Sequence, residues 1–332
     1  MDGGRRFARP AGSRRPNVMR KQRGVALITV MLTVAVLLVV VANLMTRHSL
    51  VISQNRNTFE QTQALQYALG AETLARQILF EDFSADPDID HLGEIWAQPV
   101  MPFELDEGGF LEAQVRDLHG CYNINNAWES GAEPLTRLRR LFTNIGVQPQ
   151  LADLWKDWVD SDADVTGYGA EDSEYLINEI PHRTPNTMVQ HVSEMFMLNN
   201  ATREEIELIL PEVCVVPTDG LKINVNTATG HTLAALDDGI APSIAESMGV
   251  REYSSTADFG NDYQEFAPPA IQNLLTVKSE YFLLHAYASV GDTSVTLLST
   301  LHRDPDNGEI TVLSRDFGKL FRSNLTVDVE DS

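Results

Sequence analysis

KQRGVALITVMLTVAVLLVVVANLMT, residues 21–46, passes from a basic stretch into an apolar run, Val25–Thr46, that holds no charge, proline or glycine. A helix of that length crosses a hydrocarbon core about 30 Å thick. Residues 1–24 carry eight basic side chains and one acid, so the positive-inside rule keeps them in the cytoplasm and exports the remainder. A cleavable secretory signal shares this charge order. Its apolar core is shorter, however, and a small-x-small cleavage site follows it, which is not the pattern here. Helix-compatible sequence instead continues from Ser49 to about Phe80, with Gly70 as its interior weak point. Residues 25–46 therefore read as a transmembrane helix and 47–80 as the exported continuation of the same helix.

The exported body is strongly acidic. The chain's 332 residues have a formal net charge of −22. Setting aside the basic leader leaves 17 basic against 46 acidic residues, a net of −29. A body so charged repels phosphate backbones and makes nucleic acid an unsuitable partner, while divalent cations and basic protein surfaces suit it. Hydrophobic residues are 43% of the chain, enough for packed cores in two or three domains. The two cysteines, Cys121 and Cys214, form no C-x-x-C pair. In an oxidising compartment they read as one disulfide, stabilising the fold by roughly 4–5 kcal/mol on the chain-entropy model. In a reducing cytosol they read as two buried thiols.

After the helix, acids and the prolines Pro87, Pro99 and Pro102 mark a connection, and Phe110–Asp117 alternates as a strand does. From Tyr281 the runs YFLLHAYASV, SVTLLSTLHR and EITVLSRDFG alternate in the same way, with a hairpin signal at Asp306-Asn307-Gly308. The residues between read as helical. Leu135–Phe142, Gln150–Val159, Thr187–Leu198 and Thr202–Leu210 have helical spacing, and Thr202-x-x-Glu205 is a capping box. Two short helices, His231–Leu236 and Pro242–Arg251, flank Asp237-Asp238-Gly239. The expected division is a leader (1–24), the helix (25–46 and 47–80), a first sheet part (81–121), an inserted α-domain (122–276, in units of about 122–220 and 221–276) and a second sheet part (277–332).

The acidic loop after Trp158 is the best ligand site. Asp160, Asp162 and Asp164 occupy positions 1, 3 and 5 of an EF-hand-like loop, and Glu171 occupies position 12. Hard oxygen donors at that spacing converge on Ca2+. Val165 stands where an EF-hand turns on glycine, so the loop must bend differently, with Gly167 and Gly169 following and Asp172 or Glu174 as substitute ligands. Six acids in residues 160–174 also describe a solvated acidic loop, the plainer alternative. No histidine lies in a paired-ligand spacing, and neither a nucleophile elbow nor a phosphate-binding glycine loop occurs. His119 beside Cys121 suggests a nucleophile dyad less well than a disulfide does. Nothing argues for an enzyme.

Several of these stretches resemble a known family. Basic residues, Gly24 and then an uninterrupted apolar helix look like a prepilin leader, with cleavage between Gly24 and Val25. Glycine suits a bond that a protease must grip in extended form. Initiation at Met19 would leave a six-residue leader. The segments 119–127 (HGCYNINNA), 157–175 (DWVDSDADVTGYGAEDSEY) and 222–228 (KINVNTA) resemble the K-type minor pseudopilins of the type II secretion system, general secretion pathway protein K, across nearly all of 19–332. That resemblance implies an α+β, pilin-like fold: a long N-terminal transmembrane helix on an antiparallel sheet, with a large inserted all-α domain of SAM-like or helix-hairpin-helix units. It implies calcium at the acidic loop and N-methylation of Val25 by the prepilin peptidase that cuts the leader. It implies the I- and J-type minor pseudopilins as partners in the inner membrane and periplasm, with the H type, the major pseudopilin and secreted exoproteins further out. Pilins usually carry Glu at the fifth position after the cut. Here it is Thr29, as in the K type, whose place at the filament tip leaves no preceding subunit for that carboxylate to meet. The Asp237-Asp238-Gly239 hairpin, acidic and without nearby Lys or Arg, suits protein packing rather than DNA. A type IV minor pilin and a signal-anchored periplasmic binding protein are the alternative readings.

Overall fold

The protein's structure, a computed structural model, describes residues 23–98, 100–105, 109–128, 131–239, 249–263 and 271–317. The leader up to Gln22, Pro99, most of the expected Pro242–Arg251 helix and the tail after Phe317 lie outside the described residues.

A single helix, α1, runs from Arg23 to Ala85, five residues beyond the expected end. The chain forms two units, one reaching to Phe59 and one from Glu60 onward. In the first, residues 25–59 are exposed throughout, the apolar ones included. That is the surface a helix presents when lipid, not protein, is its solvent. In the second unit the same helix buries a stripe of Ala64, Ala68, Ala71, Ala75 and Leu79. These positions recur every three or four residues and so share one face. Four alanines in that stripe let the helix backbone lie close against the sheet, whose buried side is Phe282, Leu284, Ala286, Ala288, Val290, Leu297 and Leu301.

The sheet contains β1 (Val100–Leu105), β2 (Gly109–Asp117), β7 (Tyr281–Val290), β8 (Thr293–Arg303) and β9 (Ile310–Phe317) in the order β1-β2-β7-β8-β9. All four pairings are antiparallel. The alternating burial along β7 follows its sequence pattern. At the β8–β9 turn, Asp304 Oδ1 accepts the N–H groups of Asp306 and Asn307, at 2.9 and 3.2 Å. Strands β2 and β7 pair from Phe110↔Ser289 to Asp117↔Phe282, so everything between Asp117 and Tyr281 is inserted between two neighbouring strands.

The insert is mainly helical, with α2 (Ala132–Asn144), α3 (Leu151–Val159), α4 (Asp172–Tyr175), α5 (Arg203–Ile209), α6 (Gly230–Ala234) and α7 (Thr256–Asp262). It is not all-α as expected. Two parallel ladders of two residues each close it: β3 (Tyr122–Asn123) on β4 (Val213–Cys214), and β5 (Ile223–Asn224) on β6 (Leu275–Thr276). A chain that leaves and re-enters at one place brings its two ends side by side, and paired backbone groups satisfy that crossing. Cys121 and Cys214 are joined by a disulfide at the first of these closures.

Both closures use the same local device. Asn123 Oδ1 accepts the N–H of Asn125 at 3.2 Å, and Asn125 binds both main-chain groups of Val189, at 2.9 and 3.1 Å. At the second closure, Asn224 Oδ1 accepts the N–H of Asn226 at 2.9 Å, and Asn226 binds both main-chain groups of Tyr253, at 2.8 and 3.0 Å. Each asparagine thus stands in for a strand partner. The device also explains a departure from expectation at Thr187–Leu198. Only Val192–Met197 turns there, as a 3-10 helix, because Val189 gives its backbone bonds to Asn125 and Asn186 sits in the left-handed region at φ 48°.

Candidate functional site

Helix α3 reads LADLWKDWV, and its acids Asp153 and Asp157 are buried one turn apart. They hold the loop that follows. Asp153 accepts Nε of Arg139 at 2.6 Å and the N–H of Tyr168 at 3.0 Å. Asp157 accepts the N–H of Thr166 through both oxygens, at 3.0 and 3.1 Å. The bend that an EF-hand makes at its sixth residue is displaced to Gly167 (φ 57°). A Cβ at Gly167 would lie 2.5 Å from Asp153 Oδ2, so the chain passes too close to α3 for any other residue.

Suspended in this way, the loop brings Asp160, which ends α3, together with Asp162 and Glu171, which begins α4. One carboxylate oxygen from each lies within 4.8 Å of the other two. Asp160 and Glu171 are 6% and 5% exposed, and Asp160 Oδ1 and Glu171 Oε1 are buried with no hydrogen-bond partner among the described residues. Burying a charge without a partner costs several kcal/mol. Burial, followed by the charges of Asp157, Asp160, Asp162 and Asp172, pushes Glu171 up to about 7. Burial also raises Asp160, against the pull of Lys156, and pushes Asp157 up to about 6. Lys156 stands 3.6 Å from Asp160 Oδ2 but donates to the Ala127 carbonyl at 2.8 Å. Three carboxylates thus converge with Lys156 ion-paired to Asp160 at their edge, three negative charges against one positive.

Two of the five residues expected as ligands are placed elsewhere. Asp164 is exposed and outside the converging group, and its N–H donates to Asp162 Oδ1 at 2.9 Å. With the bend at Gly167 rather than at residue 165, the fifth position does not turn inward. Asp172 faces Arg183 Nη1 at 2.5 Å and accepts Thr184 N–H and Oγ1 at 3.1 and 3.2 Å. Glu174 accepts the Glu171 N–H at 3.2 Å, which orients the start of α4. Near the N-terminal end of α1, Thr29 Oγ1 donates to the Ala26 carbonyl at 2.9 Å, so its polar group is satisfied within the helix.

A second set of acids was not singled out in the sequence. Asp82 of α1, Asp90 and Glu94 also converge, but Arg303 of β8 reaches them. Its Nη2 lies 2.5 and 2.6 Å from the two Asp90 oxygens and its Nη1 lies 3.4 Å from Asp82. Asp90 Oδ2 also accepts the Ser279 N–H at 2.7 Å, and Asn224 donates to the Asp90 carbonyl at 3.1 Å. The acids are close in sequence, but Arg303, Ser279 and Asn224, which hold Asp90, are 213, 189 and 134 residues from it and leave no local signal.

Residues 120–218, which include the acidic loop, match the family model described as Type II secretion system (T2SS), protein K. The type II secretion system protein K of Pseudomonas aeruginosa is 35% identical over 316 residues, covering 90% of this chain and 94% of that one. The chain belongs to the type II secretion system protein K family. Protein K of Aeromonas hydrophila is 31% identical over 320 residues, 87% of this chain and 95% of its own length. Among solved structures, a chain of the GspK-GspI-GspJ complex from the enterotoxigenic Escherichia coli type 2 secretion system has the same fold. It superposes with a TM-score of 0.71 at 24% identity and covers 80% of this chain and 100% of its own. The protein K family is therefore matched by sequence over α1, the sheet and the insert together.

Proposed function

We propose that this protein K family member is the minor pseudopilin at the tip of the periplasmic pseudopilus, needed for pseudopilus assembly, length control and export across the outer membrane. In this reading the prepilin peptidase cuts between Gly24 and Val25 and Val25 is N-methylated. Val25–Thr46 then anchors the subunit in the inner membrane, with its body in the periplasm. The observation that carries the proposal is the pairing of Thr29 with a bulky insert. A subunit inside a filament needs a carboxylate near its first turn, to meet the amine of the subunit ahead, and a head slim enough to stack under its neighbours. This chain has Thr29 at that position and more than half its exported length in the insert between β2 and β7. Both features suit the end of a filament.

The partners in this reading are the I- and J-type minor pseudopilins, with the H type and the major pseudopilin below them and secreted exoproteins above. The two helical units of the insert serve as SAM-like packing modules. Asp160, Asp162 and Glu171 hold a structural Ca2+, whose charge matches the buried carboxylates.

The test is deletion of the gene and complementation by the full chain. Secretion of exoproteins should stop and be restored by wild type, but not by Gly24→Ala, which should remain unprocessed. The full wild-type chain, purified from detergent, should bring the I and J partners with it, and its mature N-terminus should carry one methyl group by mass spectrometry. Secretion that continues in the deletion strain while surface pili disappear would transfer the protein to type IV pili and overturn the proposal.

A further inference from the structure

The strap from Pro181 to Asn186 crosses between the two flanks of the acid group. Near one end, Arg183 and Thr184 bind Asp172, next to Glu171. At the other, Asn186 Nδ2 donates to the main-chain carbonyl of Asp162 at 3.4 Å. Asn186 is held at φ 48°, and its Oδ1 is buried with no hydrogen-bond partner among the described residues. An amide that spends its donor on the loop and keeps a buried acceptor idle is costly unless something accepts from it. Asp160 Oδ1 and Glu171 Oε1 are idle in the same way. With the carboxylates ionised, all three atoms are acceptors, the kind of donor set a hard cation takes.

Resting on the calcium reading above, we infer that Asn186 is a further ligand of this site, giving its amide oxygen to the ion that Asp160, Asp162 and Glu171 hold. Ca2+ takes about six to eight oxygens and accepts amide carbonyls beside carboxylates, so three carboxylates leave positions for neutral donors. Asn186 brings one without adding to the crowded negative charge. It also ties the ion to the strap, so that filling the site braces residues 181–186 against the loop. Among residues other than glycine, asparagine is one of the few that tolerate its backbone conformation, and so it combines the geometry with the donor.

The test is calorimetric titration of Ca2+ into the chelator-treated full chain in detergent, for wild type, Asn186→Gly, Asn186→Ala and Asn186→Asp. Glycine keeps the backbone conformation and removes only the oxygen, so it separates ligation from loop shape. Asn186→Gly and Asn186→Ala should each weaken Ca2+ by about tenfold or more. Asn186→Asp, which restores an oxygen, should bind at least as tightly as wild type. Wild-type affinity in Asn186→Gly, or a loss in Asn186→Asp equal to that in Asn186→Ala, would overturn the inference and leave the calcium site standing. A wild-type chain that takes up no Ca2+ at all would overturn both.

Discussion

Around Arg303, Asp82 of α1 and Asp90 of the connection after it meet a guanidinium; in the loop after α3, three acids converge with only Lys156 at their edge, 3.6 Å from Asp160. Burial is the largest influence on the acids in both places, pushing Asp90 up to about 6, Asp82 up to about 7 and Glu171 up to about 7. The next influences differ. At Asp90 the charge and hydrogen bonds of Arg303 oppose burial, whereas at Glu171 four neighbouring acids add to it. Arg303 is also boxed by the rings of Phe282 and Phe83, at 4.9 and 5.5 Å. One cluster carries its cation in the chain and is a fixed joint. The other brings three carboxylates together, and the proposed Ca2+ would supply its matching charge.

The comparison breaks most decisively at Arg303. Arg303→Met leaves Asp90 buried and unmatched and should cost about 3–5 kcal/mol in denaturant unfolding of the full chain in detergent, with no rescue by Ca2+. Next in size is the ion itself. Ca2+ at a hundredfold excess over its Kd should stabilise the wild type by about 2.7 kcal/mol. Glu171→Gln should abolish that increment, measured as the shift in unfolding midpoint between calcium and chelator. Smaller, and opposite in sign, is the effect of the same substitution on the chelated protein. Glu171→Gln removes a buried charge from a crowded site and should raise stability on the order of 1 kcal/mol. An unchanged or lowered midpoint in chelator would mean that the carboxylates are matched within the chain after all.

The same comparison extends to pH dependence. Asp82 and Asp90 hold their protons in the folded protein to about 7 and about 6, against 3.8 as the ordinary value. Between those limits the folded state binds more protons than the unfolded one. Their contribution is therefore full below pH 4 and lost as pH rises through 6 to 7. In chelator, unfolding midpoints should fall from pH 5 to pH 7.5. With Ca2+ the fall should be shallower, because a cation that prefers deprotonated Glu171 reverses the sign at the loop alone.

Much of this molecule was legible in order along the chain. The alternation in YFLLHAYASV maps onto β7 residue for residue, and the capping box at Thr202 and Glu205 opens α5 with both bonds made. The paired segments 122–127 and 223–228 were visible as distinctive stretches, but not as two copies of one closure. The repeated Asn-x-Asn was the available signal, and its meaning lies in bonds to Val189 and Tyr253, 64 and 27 residues away. The acidic loop was legible from spacing as a place where carboxylates could converge, and Asp160, Asp162 and Glu171 do so. Which acids converge was not, since Asp164 and Asp172 have the right chemistry and face elsewhere.

The sequence by itself determined the apolar helix, its basic flank, the two-residue periods of the strands and the helical spacing of the insert. Each depends on neighbours within a turn or a pleat, where chain geometry leaves little choice. The tertiary structure decided which acids are matched. Asp90 and Glu171 are both acids next to a short structural element, and nothing nearby in sequence tells them apart. Arg303 reaches one from 213 residues away and reaches the other not at all. Electrostatic pairing falls off with distance in space and is blind to distance along the chain, so only the fold could assign it.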